Sequence, residues 1–134
     1  MTLTKFSRYA LYAALEMARA GDRPVTVGQV AGPHGIPPTA LAKVFQQLVR
    51  ARLAVGTRGI GGGYRLARPR TEITVLDVVS AFEPLRPSGD DWLTGSAHHA
   101  PGAAHTETLR RLFDEVDEGT RATLASVTLD TLVK

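Results

Sequence analysis

One short segment combines basic side chains with a high density of glycine. It reads Arg58-Gly59-Ile60-Gly61-Gly62-Gly63-Tyr64-Arg65-Leu66. The glycines permit backbone angles and close approaches that side chains would block. An arginine on so thin a loop can enter a narrow DNA minor groove, where the negative potential is strongest, and neighbouring backbone N–H groups can reach phosphates. The segment therefore predicts DNA contacts from Arg58, Gly59, Gly61 and Gly62, the alternative for Arg58 being an ordinary exposed loop arginine.

Positive charge is concentrated in the same half of the chain. Residues 1–70 contain eleven Lys and Arg against two Asp and Glu, whereas residues 71–134 contain five against eleven. The formal charges of the two halves are therefore +9 and −6, within a total of +3. A basic front half is the electrostatic footprint expected for a polyanionic partner. A solvated basic surface would explain the charge alone equally well.

These residues need elements that hold them on one surface. Apolar spacings of three and four residues predict a helix over 4–20, a second from Thr26, and a third from Pro38 to Arg52. Thr26 and Gln29 fit a capping box, and the Gly-Pro-His-Gly sequence at 32–35 predicts a turn. Residues 53–55 and 63–66 predict a hairpin around the glycine loop. The order is typical of a helix-turn-helix followed by a wing.

The third helix is the predicted recognition helix, because its first residues would enter the major groove. Thr39 and Lys43 are the candidates there, although Lys43 could instead be a solvated helix charge. The start of the first helix offers further phosphate contacts, since a helix N-terminus has free N–H groups; these candidates are Lys5, Ser7, Arg8 and Tyr9. Core packing is an equal alternative for Tyr9, and Arg65 is a candidate on the second wing strand.

The rear half predicts a different task. Thr74 and Asp77 predict a capped helix to about Phe82, residues 84–105 predict a long mobile loop, and a long helix follows over 106–126, with a bend possible at Gly119. A heptad-like apolar stripe predicts either monomer core or, as we favour, a dimer interface, because such an exposed patch usually marks one. Its residues are Leu109, Leu112, Phe113 and Val116. Residues 128–133 suit a short capped helix.

Composition excludes several functions. The chain has no cysteine, so disulfides, thiolate metal sites and cysteine-held iron–sulfur clusters are impossible. His98, His99 and His105 could hold a metal, but solvent-exposed loop histidines are the favoured interpretation. No apolar run could span a bilayer, and Met1 to Lys5 does not resemble a signal peptide; both observations predict a cytoplasmic protein. No catalytic triad, carboxylate-pair or phosphate-loop pattern predicts an enzyme.

The motifs together resemble a known family, the IscR/NsrR-type winged-helix transcription regulators. The glycine wing is the most specific element, and the resemblance is weakest over 84–105. The other matching segments are Leu3-Thr4, Arg8-Tyr9-Ala10, Pro24-Val25, Gly35-Ile36, Ile73-Thr74-Val75 and Val127–Val133. Many members of that family hold an iron–sulfur cluster on three cysteines before the long helix. This chain resembles the cluster-free members, so that sensing mechanism is not carried over.

The resemblance implies a mainly α fold with a small β-hairpin wing and a long C-terminal dimerisation helix. It also implies a homodimer on a roughly palindromic double-stranded DNA operator, acting as a repressor more often than an activator. The predicted organisation is a DNA-binding domain over 1–83, an effector or sensor loop over 84–105, and a dimerisation segment over 106–134. The alternative function is a degenerate winged-helix protein that acts mainly as a protein-interaction module.

Overall fold

The computed structural model describes residues 2–83 and 103–134. Its elements are α1 Lys5–Ala20, α2 Val27–His34, α3 Pro38–Arg50, β1 Ala54–Thr57, β2 Gly63–Leu66, α4 Val75–Ser80, α5 Ala103–Ala125 and α6 Leu129–Val133. The predicted fold class, mainly α with a small hairpin, is confirmed. The chain forms two compact units, one of Met1–Glu83 with Ala125–Lys134 and one of Pro84–Leu124.

Hydroxyl caps set the beginnings of the helices, as the sequence predicts. Thr26 Oγ1 accepts from Gln29 N at 3.1 Å, and Thr26 N donates to Gln29 Oε1 at 2.9 Å. Thr74 and Asp77 repeat the same reciprocal pair at α4, at 3.1 and 2.9 Å. Such boxes satisfy two backbone donors that the first helical turn leaves free. These two helices therefore begin where local sequence fixes them.

The core of the first unit lies where α1 packs against α2, α3, α4, α6 and β2. Small side chains on α1 allow this crowding, because alanine keeps a helix surface close to its axis. The buried α1 residues are Ser7, Ala10, Ala13, Ala14, Met17 and Ala18. α3 supplies the larger side chains of the core, Leu41, Val44, Phe45 and Leu48.

The wing hairpin is anchored on both sides of its second strand. β1 pairs antiparallel with β2, from Ala54–Leu66 to Thr57–Gly63. On the other edge, Val25 and Tyr64 exchange two backbone hydrogen bonds, each 2.8 Å long. A Cβ at Gly63 would lie 2.5 Å from the Val25 carbonyl oxygen, so this pairing requires glycine. The Tyr64 ring stacks on Phe45 of α3 with centroids 4.5 Å apart.

The last ten residues belong to the first unit, whereas the predicted organisation grouped them with the long helix. Leu129 is fully buried, and its N–H donates to the Ile73 carbonyl at 2.9 Å. Arg70 Nε donates to Asp130 Oδ1 at 2.8 Å. These contacts join residues about sixty positions apart, which local sequence patterns cannot reveal.

The predicted turn at residues 32–35 was wrong, because α2 continues through Pro33 to His34. A proline in the last turn removes one backbone donor only. Gly35 then takes φ +63°, and the Gly35 and Ile36 N–H groups donate to the Gly32 and Ala31 carbonyls at 3.3 and 3.0 Å. These are the two bonds of a Schellman motif, so the helix ends one residue beyond the proline.

Other boundaries differ from the predicted ones by a few residues. α3 ends at Arg50 rather than at Arg52, because Arg52 adopts a left-handed φ of +62°. α5 begins at Ala103, so the predicted loop ends earlier, and the helix continues through Gly119 without interruption. β1 covers 54–57 rather than 53–55. The rest of the predicted loop, 84–102, lies outside the described residues.

Candidate nucleic-acid interface

One face of α3 is a stripe of exposed polar side chains. Thr39, Lys43, Gln46 and Arg50 are all exposed, at spacings of four, three and four residues. These spacings place them on one side of a helix with 3.6 residues per turn. The opposite side is buried, with Leu41, Phe45 and Leu48 each 0% exposed. We call these four residues the α3 stripe.

The C-terminal half of the α3 stripe and the wing enclose an open depression of about 480 Å³. Gln46 and Arg50 line it from α3, and Thr57 and Arg58 line it from the wing. The described residues that line it include two guanidinium groups and no carboxylate. A guanidinium group suits phosphate well, because one arginine can donate two parallel hydrogen bonds to two phosphate oxygens. We call this depression the helix–wing groove.

Arg50 is held in place by neighbouring side chains. Its Nη1 donates to Gln47 Oε1 at 3.3 Å, and Gln47 Nε2 donates to the Ala81 carbonyl oxygen just after α4 at 3.2 Å. This chain of hydrogen bonds joins the exposed guanidinium to the part-buried backbone just after α4. The arginine therefore loses less side-chain entropy on binding a ligand than an unsupported arginine would.

The tip of the wing is built from glycines in conformations that disfavour other residues. Gly59 and Gly61 have φ of +96° and +77°. Gly62 N–H donates to the Gly59 carbonyl at 3.0 Å, and a Cβ at Gly62 would lie 2.2 Å from the Thr57 carbonyl oxygen. The turn therefore needs glycine at Gly62 for space, and it leaves the Arg58 side chain exposed.

The predicted residues of α1 divide between the surface and the interior. Lys5 is exposed and its Nζ lies 5.7 Å from the centroid of the Phe6 ring. Arg8 is exposed, with Nη1 donating to the Leu3 carbonyl at 2.9 Å. Tyr9 is half-buried against the core, as its alternative interpretation predicted, and its ring meets Phe6 edge-on at 6.2 Å.

Ser7 is a correction to the predicted contact set, because its side chain is completely buried. Its hydroxyl accepts from Thr4 Oγ1 at 3.1 Å, and its N–H donates to the same oxygen at 3.3 Å. A carboxylate of the same chain also binds at the start of this helix, since Thr4 N–H donates to Glu83 Oε1 at 2.9 Å. Ser7 therefore supports the cap of α1 and cannot reach a phosphate.

Arg65 does not join Arg58 in the helix–wing groove. Successive side chains of a strand point to opposite faces, and the Tyr64 ring faces α3, so Arg65 points the other way. It lines a separate depression with Arg68 and Arg70. Arg70 is already paired with Asp130, and Arg68 Nη2 lies 3.8 Å from Asp77 Oδ2.

The predicted interface stripe of α5 is largely exposed. Leu109 is 37% exposed, Leu112 is 51% and Val116 is 53%. Phe113 is half-buried. The acidic and basic residues between them, such as Asp114 and Arg111, fall on the other side of the helix. α5 therefore carries one apolar face and one charged face.

Of the three candidate metal ligands, only His105 is described; it is exposed on α5. His98 and His99 lie outside the described residues. Within residues 2–83 and 103–134, no three His, Asp or Glu side chains group closely enough to hold a metal ion. In the same part of the chain, no helix has the length and apolar character needed to cross a membrane.

Sequence reasoning did not select Gln46, Arg50 and Thr57 as site residues. A signal for the first two was present, because continuing from Thr39 and Lys43 by three and four residues reaches them. Thr57 had no such signal, since its position depends on how the hairpin packs beside α3.

Relatives of known sequence identify the family. Residues 3–134 match the family described as "Rrf2: Iron-dependent Transcriptional regulator". The HTH-type transcriptional regulator BadM of Rhodopseudomonas palustris is 37% identical over 134 residues, which cover 100% of this chain and 82% of that protein.

Solved structures agree in fold. CymR, the global cysteine regulator of B. subtilis, has a TM-score of 0.79 at 24% identity, covering 99% of this chain and 96% of that chain. IscR of T. potens has a TM-score of 0.77 at 22% identity, covering 99% and 86%. The family and its members are regulators, which confirms the prediction that the chain is not an enzyme. The chain belongs to the Rrf2 family of winged-helix transcriptional regulators.

Proposed function

We propose that this chain is a homodimeric, sequence-specific DNA-binding repressor that works in the cytoplasm without a cysteine-ligated cluster. The observation that carries the proposal is the surface formed by the α3 stripe and the wing. Exposed Lys43 lies on the α3 stripe, and exposed Arg50 and Arg58 line the helix–wing groove. Membership of a regulator family supports DNA as the ligand of this surface.

The shape of this surface suggests how a duplex would bind. The major groove, about 12 Å wide, admits an α-helix, and the α3 stripe presents Thr39 and Lys43 at the end that would enter first. A phosphate strand would then lie in the helix–wing groove between Arg50 and Arg58. Arg58 would continue into the adjacent minor groove, with the Gly59 and Gly61 backbone beside it. Lys5 and Arg8 are further phosphate candidates from α1.

The apolar face of α5 supports the homodimer. Two copies of this face would bury Leu112 and Val116, which a lone chain leaves about half exposed. A two-fold dimer would also place two recognition helices about one DNA turn apart, roughly 34 Å. A palindromic operator follows from that symmetry.

Iron dependence is part of the family description, and the residues of this chain do not fit a cysteine-ligated cluster. The 134 residues contain no cysteine, so no thiolate is available to hold iron. We propose that this regulator receives its signal by another route. Metal and sulfide analysis of the purified, untagged protein checks this, and a stoichiometric iron–sulfur cluster would refute it.

The decisive experiment is selection of bound duplexes from a random DNA pool at one stated salt concentration, because salt alone changes affinity by orders of magnitude. The expected result is a palindromic consensus with half-sites centred about one helical turn apart. A pool without sequence preference would refute sequence-specific binding and would favour the protein-interaction module.

A further inference from the structure

The tip of the wing carries an isoleucine that none of the described residues covers. Ile60 is 110% exposed relative to an extended reference, whereas the other exposed large apolar side chains among the described residues reach 37–53%. We propose that Ile60 is an apolar wedge that inserts at a base step of the minor groove beside Arg58. This inference rests on the proposed function and adds a specificity-determining residue to it.

The turn holds Ile60 at its outermost point. Gly59 and Gly62 are the first and last residues of a four-residue turn closed by their 3.0 Å hydrogen bond. The φ of +77° at Gly61 is the value that a type II turn requires at its third residue. Ile60 is then the second residue, a position that needs no left-handed backbone, and among described non-glycine residues a positive φ occurs only at Arg52.

The glycines on either side make the tip narrow enough for a minor groove. A Cβ at Gly59 or Gly61 would meet no atom within 4 Å, so open space surrounds both positions. The minor groove of B-form DNA is about 6 Å wide. A turn with one side chain and bare backbone on both sides fits this width better than a turn flanked by side chains.

The chemistry of the tip favours DNA over a protein partner. A contiguous exposed apolar patch of several hundred Å² is the usual mark of a protein interface, whereas Ile60 is a single apolar side chain beside exposed Arg58, Gly59 and Gly61. Minor-groove proteins, by contrast, insert single apolar side chains between base steps while arginines hold the backbone. The cost of unstacking is smallest at pyrimidine–purine steps, so the wedge should make the operator favour such a step.

The test uses the selected operator with either TA or AA at the step beneath the wing, and a 2-aminopurine at that step as the probe of unstacking. The wild-type chain should prefer TA and should raise the 2-aminopurine fluorescence. Ile60→Ala should lose about fivefold or more of the TA preference and most of the fluorescence increase, while Ile60→Leu should keep both. The melting temperature should not change, because the side chain buries nothing.

A matched control is Leu132→Ala on α6, another exposed apolar residue at 49%, which should bind and discriminate like the wild type. If Ile60→Ala retains the TA preference and the fluorescence increase, the wedge is refuted while sequence-specific binding stands. If the wild type itself selects no consensus, the proposed function fails and the wedge fails with it. Loss of TA preference in Leu132→Ala as well would also refute a specific role for Ile60.

Discussion

Arg58 and Arg50 line the same groove but are expected to contribute differently to binding. Arg58 is near the exposed tip of the wing, where a guanidinium can enter the narrow minor groove of A·T-rich DNA. Arg58→Ala should therefore weaken operator binding by about 1–3 kcal/mol and relax the preference for A·T pairs beneath the wing. Titration of operator variants by fluorescence anisotropy measures both effects. Unchanged affinity would remove the wing from the mechanism.

Arg50 is expected to contact phosphate rather than bases, because its guanidinium is at the C-terminal end of α3, far from the residues that enter the groove first. Arg50→Ala should weaken binding about equally for every sequence and lower the slope of log affinity against log salt by about 1. Arg68→Ala is the charge-matched control, since Arg68 lies beside Asp77 and outside the helix–wing groove. A sequence-dependent loss in Arg50→Ala would contradict a phosphate contact.

Two glycine substitutions should have opposite effects on stability. Gly62→Ala would place a Cβ 2.2 Å from the Thr57 carbonyl oxygen, so the turn must open at a cost of about 1–3 kcal/mol, and DNA binding should fall. Gly32→Ala meets open space within α2 and should stabilise the fold by up to about 1 kcal/mol. Urea unfolding measures both, and equal stabilities would contradict the described turn.

Among the secondary-structure elements, α6 is attached in part through ion pairs of Asp130. Partial burial acts to raise the pKa of Asp130, but hydrogen bonds and charges from Lys134 and Arg70 outweigh it and hold that pKa below its usual 3.8. A lowered pKa in the folded state means that the ion pair stabilises the fold above the ordinary pKa. That stabilisation is lost as pH falls through the lower, folded-state value.

Asp130→Asn should therefore be less stable than the wild type at pH 7, and the difference should shrink below about pH 4. Arg70→Gln, which removes the closer of the two cationic partners of Asp130, should show the same dependence of stability on pH. Melting temperatures followed by circular dichroism from pH 7 to pH 2 measure it. A difference that stays constant over this range would exclude ionisation of Asp130 as the cause.

The elements show where local sequence suffices and where it does not. The Thr26 and Thr74 caps and the strand from Gly63 were predictable because their determinants lie within three or four residues of each other. The helical path through Pro33 was missed because the Schellman bonds at Gly35 outweigh one lost donor. The pairing of Val25 with Tyr64 was not predictable, since it joins segments about forty residues apart in the sequence.

At the scale of the whole molecule, the candidate interface was predictable only in part. Arg58 and Lys43 followed from residue type and motif, and both are exposed where the motif implies. Arg65 and Ser7 do not line the groove. Arg65 points to the face of β2 away from α3, and Ser7 is buried on α1. The groove itself depends on the stacking of Tyr64 against Phe45. This tertiary contact cannot be predicted from the spacing of residues within a helix or a strand.

Assembly provides the corresponding test for the whole molecule. Leu112→Lys would place a charge in the apolar face of α5 and should convert the proposed dimer to monomer, because an unpaired buried charge is costly. Ala125→Lys, at an exposed position about 140° around the same helix from Leu112, is the control. Sedimentation velocity measures the mass, and operator affinity should fall with dissociation. A dimeric Leu112→Lys would contradict the interface.

The double anchoring of β2 has a consequence for how a half-site is measured. Backbone bonds to Val25 hold one edge of the strand and the Tyr64–Phe45 stack holds its face, so the base of the hairpin cannot swing away from α3. In the proposed complex, α3 and the wing would therefore keep a fixed separation, with α3 in the major groove and the wing in the minor groove. Because each base pair advances the DNA duplex by about 3.4 Å, we expect that fixed separation, rather than bending of the DNA, to set the number of base pairs in each proposed half-site.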